Sequence, residues 1–429
     1  MIGVSRLLNG TVTPGDALRY GRSTAKGPAH LLHYSQDKKP VVVWNCTQRC
    51  NLKCIHCYAN AKDREYPGEL TTEDAMRFMD DLATFQVPTV LFSGGEPLMR
   101  RDLFEVVAYA KQLGLRAVLS TNGTLIDDAT AERIRDVGFN YVGISLDGIG
   151  LVHDRIRGVR GAFESTLEGI RRVRDRGVRV GLRFTVHAKN LEELPAIFEL
   201  MAEERIPRCC IYHLAYAGRG EKLSRFDLTP QETRSALDLI FQQARLFHEK
   251  GIELDLLTVD NHADNAYLYM RLVETDPAKA ADVYQLLEWN GGNQSGIAIA
   301  AVDPQGNVHP DQFSWGHTFG NVRERAFGDI WTDRSHPYLA ILKDRRQHLK
   351  GRCSVCKWLP VCNGNLRIRA ESYFGDPLAP DPGCYLTDEE CGIQPDTLEA
   401  EVARQFPVPI HGIAETKTVS DMTRTLPVM

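Results

Sequence analysis

Between residues 44 and 61 the chain reads WNCTQRCNLKCIHCYANA, which places four of its eleven cysteines in one short stretch. Cys50, Cys54 and Cys57 are spaced C-x3-C-x2-C, and Cys46 stands just outside. Thiols this close in a cytoplasmic chain point to metal rather than to disulfides. A structural zinc takes four ligands and usually draws them from two knuckles far apart in sequence. Three cysteines on one loop suit three corners of a [4Fe–4S] cube and leave the fourth iron open to a small chelating molecule. Cys46 keeps the zinc reading open, although a small thiol at a strand end also reads as a core residue. A second set, Cys353, Cys356, Cys362 and Cys384, is spaced C-x2-C-x5-C-x21-C. Four cysteines close every corner of a cube, or a zinc site. Cys391 has no assigned partner, and Cys209 and Cys210 read as buried strand residues.

The elements that must hold these residues alternate. VVVW (41–44) is a short β run that ends at the cysteine loop. TVLFSGG, RAVLSTN, YVGISLDG, VRVGLRFTVH and CCIYHLAYAG follow, each after a stretch with helical apolar spacing. Six strands in register with helices predict βα units around a parallel sheet. In barrel-type sheets chemistry gathers at the C-terminal strand ends. The cysteine loop, SGGEP, STNG, SLDG and HLAYAGRG all lie at those ends. The expected organisation is a lead-in (1–40), a barrel (41–225), a helical bridge (226–294), a cysteine-bearing unit with a hairpin around DPQG (295–393) and a proline-dotted tail (394–429).

The composition excludes several classes. A net charge of −5 offers no basic field, so no nucleic acid is expected. No apolar run approaches the ~20 residues of a membrane span. MIGVSRLLNG lacks a basic segment followed by a long apolar core, so the expectation is a cytoplasmic chain with no membrane partner.

C-x3-C-x2-C after the first strand and SGGEP after the second resemble the radical S-adenosylmethionine (SAM) superfamily. The resemblance implies an α/β fold, a partial (β/α)6 barrel, with two [4Fe–4S] clusters and SAM as cofactors. It also implies an external low-potential electron donor. It places Gly94, Gly95 and Glu96 by the SAM amino group. Ser120, Asn122, Ser145 and Asp147 fall near the ribose hydroxyls and carboxylate, Arg183 pairs with that carboxylate, and His56 takes the place of an adenine-stacking aromatic.

The second cysteine set resembles the SPASM and twitch-type iron–sulfur domains that follow many such barrels. Asp311 and Leu366 stand where the full SPASM pattern has cysteines, which leaves ligands for one auxiliary cluster. The opening MIGVSRLLNGTVTPGDALRYGR together with CKWLPVCNGNLRIRAESYFGDPLAPDPGCYLTDEE resembles the porphyrin-modifying members. That likeness implies a small-molecule tetrapyrrole substrate and removal of two acetates from 12,18-didecarboxysiroheme to give iron-coproporphyrin III. The alternatives are loss of propionates from the same compound, toward haem d1, and peptide modification by a SPASM-type maturase. An anionic tetrapyrrole needs cations and donors, and His213 and Tyr216, out of step with the apolar strand residues around them, are the candidate catalytic pair.

Overall fold

Val41 to Val43 are β-branched and lead into Trp44, which suits a strand buried on both faces. In the computed structural model, which describes residues 1–12 and 39–406, they form the middle of a ten-stranded sheet. The strands are β1 (Ile2–Gly3), β2 (Val41–Asn45), β3 (Val90–Ser93), β4 (Ala117–Thr121), β5 (Tyr141–Ser145), β6 (Val180–Val186), β7 (Arg208–His213), β8 (Asp255–Val259), β9 (Ile299–Val302) and β10 (Val308–His309). Their order is β1-β8-β7-β6-β5-β4-β3-β2-β9-β10. From β8 to β9 every pairing is parallel, and β1 and β10 close the two edges antiparallel. The six expected strands are β2 to β7. Helices cross between them, as parallel neighbours require.

Local chemistry sets the helix ends. Thr71 caps helix Thr72–Thr84 in a reciprocal capping box with Asp74. Thr229 and Glu232 do the same for helix Pro230–Glu249. Gly114, at φ +80°, turns the chain after helix Leu103–Gln112. Beneath the sheet Trp44 is fully buried, edge-on to Phe78 and Phe92 at centroid distances of 5.9 and 5.7 Å. Burying each such ring is worth roughly 2–3 kcal/mol.

The sheet extends past the six strands, and this changes the expected organisation. The 226–294 stretch is not wholly helical: it holds β8, which continues the sheet beside β7. The lead-in supplies β1, with Ile2 opposite Thr258. The hairpin around DPQG is present as β9 and β10, and β9 also joins β2, so the C-terminal unit shares the barrel's sheet. Most of the lead-in (13–38) and the end of the tail (407–429) lie outside the described residues. The described part of the tail forms helix Leu398–Arg404, and Phe406 after it packs edge-on against Phe374 at 5.7 Å.

Candidate active site

The C-terminal ends of β2 to β8 open on a cavity of about 980 Å³ lined by Cys50, Cys54 and Cys57. Two glycines bring the cysteine loop into place. Gly95 N–H donates to the Thr47 carbonyl at 2.7 Å, and Glu96 N–H to the Arg49 carbonyl at 2.8 Å. A Cβ on Gly95 would come within 2.6 Å of the Gln48 carbonyl oxygen, and Gly94 sits at φ +142° against Thr47. The close approach these glycines allow is therefore to the loop's own backbone, while both still line the cavity. On the other side, Lys53 and Ile55 N–H donate to the carbonyls of Arg157 and Ile156, each at 2.9 Å. Arg219 clamps the loop through the carbonyls of Cys54 and Ala61 at 2.6 and 3.0 Å.

Burial pushes the Cys50 thiol up to about 12, with Glu96 adding to it. Burial also raises Cys54, against the pull of Arg157. Such thiols stay protonated until a metal displaces the proton. Arg157 Nη1 points to the Cys54 sulfur at 3.5 Å, and Leu52 N–H to the Cys50 sulfur at 3.4 Å. Three thiols, two of them with donors aimed at sulfur, fit an iron–sulfur cluster with an open corner. Cys46 is fully buried and does not line the cavity; burial pushes it up to about 12.

Ser120, Asn122, Ser145, Arg183 and His56 all face the same cavity. Arg183 donates to the Ser120 hydroxyl and lies over the Tyr212 ring at 4.8 Å. Burial, then Arg157 and Arg219, lower the His56 imidazole to about 3, so it is neutral. Its Nδ1 is buried without a hydrogen-bond partner among the described residues, which suits a ligand donor. Polar groups from β4, β5 and β6 and an unsatisfied imidazole nitrogen beside the thiols fit an amino-acid–nucleoside ligand such as SAM.

Three expected site residues are placed otherwise. Glu96 is fully buried and does not open on the cavity. Its oxygens already accept from Thr121 Oγ1 (2.7 Å), Leu98 N–H (3.1 Å) and Asn122 N–H (2.7 Å), so it orders the end of β4 rather than an ammonium. Asp147 is likewise enclosed. It accepts from Thr185 N–H at 2.8 Å and pairs with Arg157 at 2.6 Å and His56 at 3.4 Å. Its role here is to hold two cavity residues. Tyr216 turns away from the cavity and donates to Asp227 at 2.7 Å, packed among Leu214 and Leu223. His213 does line the cavity.

Further cavity residues escaped the sequence reading. Asp260 follows β8 at φ +66°, and burial raises its carboxyl to about 6. Tyr58 and Phe313 meet edge-on at 5.3 Å and form an aromatic wall. The signal for Asp260 was present: TVDN ends an apolar run as the other site loops do.

Cys353, Cys356, Cys362, Cys384 and also Cys391 line a second cavity of about 400 Å³. Burial raises Cys353 and Cys384 to about 11. Arg352 Nη2 donates to the Cys391 sulfur at 3.2 Å, and its Nε is buried with no hydrogen-bond partner among the described residues. Buried thiols and an unsatisfied guanidinium N–H fit a second cluster. A fully buried ion pair, Arg369–Asp381 (2.8 Å), ties this cavity to the first. Arg369 donates to the carbonyls of Leu214 (3.0 Å) and Asp260 (2.8 Å), and Asp381 accepts from Leu366 and Gly383 N–H. Asp311 is buried and accepts from Phe313 and Ser314 N–H, shaping the turn that brings Phe313 to the first cavity.

A profile of the radical SAM superfamily matches residues 44–201, and one for an iron-sulfur cluster-binding domain matches 296–357. Over 395 residues the chain is 55% identical to Fe-coproporphyrin III synthase of Methanosarcina barkeri, covering 91% of this chain and 99% of that one. The chain belongs to the radical SAM superfamily. As a radical SAM enzyme it uses iron–sulfur clusters and SAM. It is also 44% identical to pre-heme d1 synthase of Dinoroseobacter shibae, covering 83% of this chain and 89% of that one. The radical SAM fold is shared with Streptococcus suis SuiB bound to S-adenosylmethionine, at a TM-score of 0.65 and 17% identity over 82% of this chain and 78% of that one.

Proposed function

We propose that this radical SAM enzyme removes two acetate side chains from 12,18-didecarboxysiroheme to give iron-coproporphyrin III. The observation that carries this reading is the 55% identity across nearly the whole of Fe-coproporphyrin III synthase, above the 44% shared with pre-heme d1 synthase. The cavity suits such a substrate. A flat macrocycle can lie against Tyr58, Phe313 and Tyr212, and a carboxylate on it can meet Arg219.

In this reading Cys50, Cys54 and Cys57 hold the SAM-binding [4Fe–4S] cluster, and Cys353, Cys356, Cys362 and Cys384 hold the second. When bound, the first cluster and SAM supply a carbon radical that takes a hydrogen atom from the substrate. The chain's own side chains do the rest. Gly94 and Gly95 leave room beside the loop, and Ser120, Asn122, Ser145 and Arg183 orient SAM. His56, kept neutral, offers Nδ1, and Asp147 holds Arg157 and His56 in place. The working partners are the tetrapyrrole and an external low-potential electron donor, in the cytoplasm and without nucleic acid.

The test is product mass. Reconstituted, reduced protein given SAM and 12,18-didecarboxysiroheme should yield a porphyrin lacking both acetates and keeping its propionates. Loss of propionates would move the chain to the haem d1 reaction, and an unchanged tetrapyrrole would overturn the reading.

A further inference from the structure

His213 ends β7 with its ring on the first cavity and a carboxylate behind it. Nε2 lies 3.0 Å from Asp264 Oδ2. Asp264 is 1% exposed, and its Oδ1 accepts from the Tyr385 hydroxyl at 2.9 Å. A carboxylate taking a phenol O–H on one oxygen is an acceptor on the other, so Nε2 carries hydrogen. Nδ1 has no protein hydrogen-bond partner among the described residues and is left for the cavity. An imidazole fixed by a carboxylate on one nitrogen and open on the other is a proton-handling group. Asp264, Asp227 and His262 act on His213 directly, and Asp260, Tyr212, Arg157, Arg183 and Arg219 share its cavity.

Tyr385 directly follows Cys384. Asn261, three residues before Asp264, donates to the Gly383 carbonyl at 2.9 Å. The loop that carries Cys384 in the second cavity therefore also positions the imidazole of the first.

We propose that His213 is the acid that protonates the departing acetate, with Asp264 and Tyr385 as its positioning residues; this rests on the tetrapyrrole reaction proposed above. Removing a ring acetate as acetic acid breaks the C–H bond of the adjacent ring carbon and the ring C–CH2 bond. It makes a ring double bond and one new C–H bond on the acetate carbon, so the substrate is neither oxidised nor reduced overall. The hydrogen atom leaves with 5′-deoxyadenosine. The new C–H bond then needs one electron and one proton. His213 gives the proton from Nδ1 and is recharged from solvent. The electron comes from the same one-electron donor, a reduced iron–sulfur or flavin carrier, that supports SAM cleavage. Each acetate thus consumes two electrons and one proton.

The experiment uses the reconstituted holoenzyme and its H213Q, D264N and Y385F variants. Iron content, 5′-deoxyadenosine, acetate and porphyrin are followed across the neutral pH range, and the unmodified enzyme is also run in D2O. In D2O the released methyl group should carry one solvent deuterium. H213Q should keep its iron and its 5′-deoxyadenosine but lose at least about a hundredfold in porphyrin per 5′-deoxyadenosine, the low end for a lost acid. D264N should move the alkaline limb of product formation to lower pH, because the imidazolium loses its counter-charge. Y385F should show the same shift, but smaller. Acetate without solvent deuterium would overturn the proposal, as would an unchanged product ratio in H213Q, or variants that lose iron, 5′-deoxyadenosine and product together. Failure of the unmodified enzyme to release any acetate would instead sink the tetrapyrrole reading beneath it.

Discussion

Arg157 aims Nη1 at the sulfur of Cys54, 3.5 Å away. Its Nη2 meets Asp147 at 2.6 Å, and both side chains are nearly sealed from solvent. One guanidinium thus joins a cluster thiol, a buried carboxylate and the cavity wall. Removing it leaves Asp147 charged and unpaired in the interior. Arg157→Gln should therefore destabilise the apoprotein by about 3–5 kcal/mol, read by anaerobic denaturant unfolding. It should also make the first cluster harder to reduce, because a positive donor at sulfur is lost. A potentiometric titration followed by electron paramagnetic resonance checks this second effect.

Gly95→Ala tests the seating of the cysteine loop. The new methyl group would meet the Gln48 carbonyl at 2.6 Å, and backbone on both sides leaves it nowhere to go. The expected result is a folded chain that loads only its C-terminal cluster and does not cleave SAM. Iron analysis after reconstitution, with 5′-deoxyadenosine measured on the same sample, decides it.

The two thiol sets should load independently. Full reconstitution should give about eight irons per chain, as two four-iron clusters. Changing Cys50, Cys54 and Cys57 together to Ala should halve the iron and abolish SAM cleavage. Cys384→Ala should halve the iron and leave SAM cleavage in place. Zinc in the second cavity of fully reconstituted protein would replace that cluster.

Acid should destabilise the apoprotein through two buried histidines. Burial lowers His153 and His187 to about 3, and each accepts a backbone N–H on Nδ1, from Asp147 and Lys189. Both are neutral when folded, whereas in the unfolded chain they take protons near pH ~6.5. Between about pH 6.5 and 3 the unfolded state binds more protons, so stability falls as pH falls. His153→Asn with His187→Asn should flatten that slope by about two protons, measured as denaturant stability against pH.

Much of this site was legible because its residues are local. Cys50, Cys54 and Cys57 lie within one loop, and β2 to β7 each carry a continuous apolar run. What could not be read depends on distant partners. β1 is two residues long and gains its place only by pairing with β8, about 250 positions away. Glu96 and Asp147 looked like ligand groups because their types fit. Their oxygens are taken by Asn122, Thr185 and Arg157, partners that no spacing reveals. His213 and Tyr216 looked equivalent, yet one reaches Asp264 and the cavity while the other reaches Asp227 and the core. The Tyr385–Asp264 bond spans 121 positions, beyond any local pattern.

The most direct measurement is a single anaerobic time course with 12,18-didecarboxysiroheme, SAM and a low-potential reductant, in which 5′-deoxyadenosine, free acetate and iron-coproporphyrin III are quantified together. The expected result is two acetates and two 5′-deoxyadenosines for each porphyrin formed, with a one-acetate intermediate that rises and falls. Sustained 5′-deoxyadenosine formation with both acetates still on the macrocycle would contradict it.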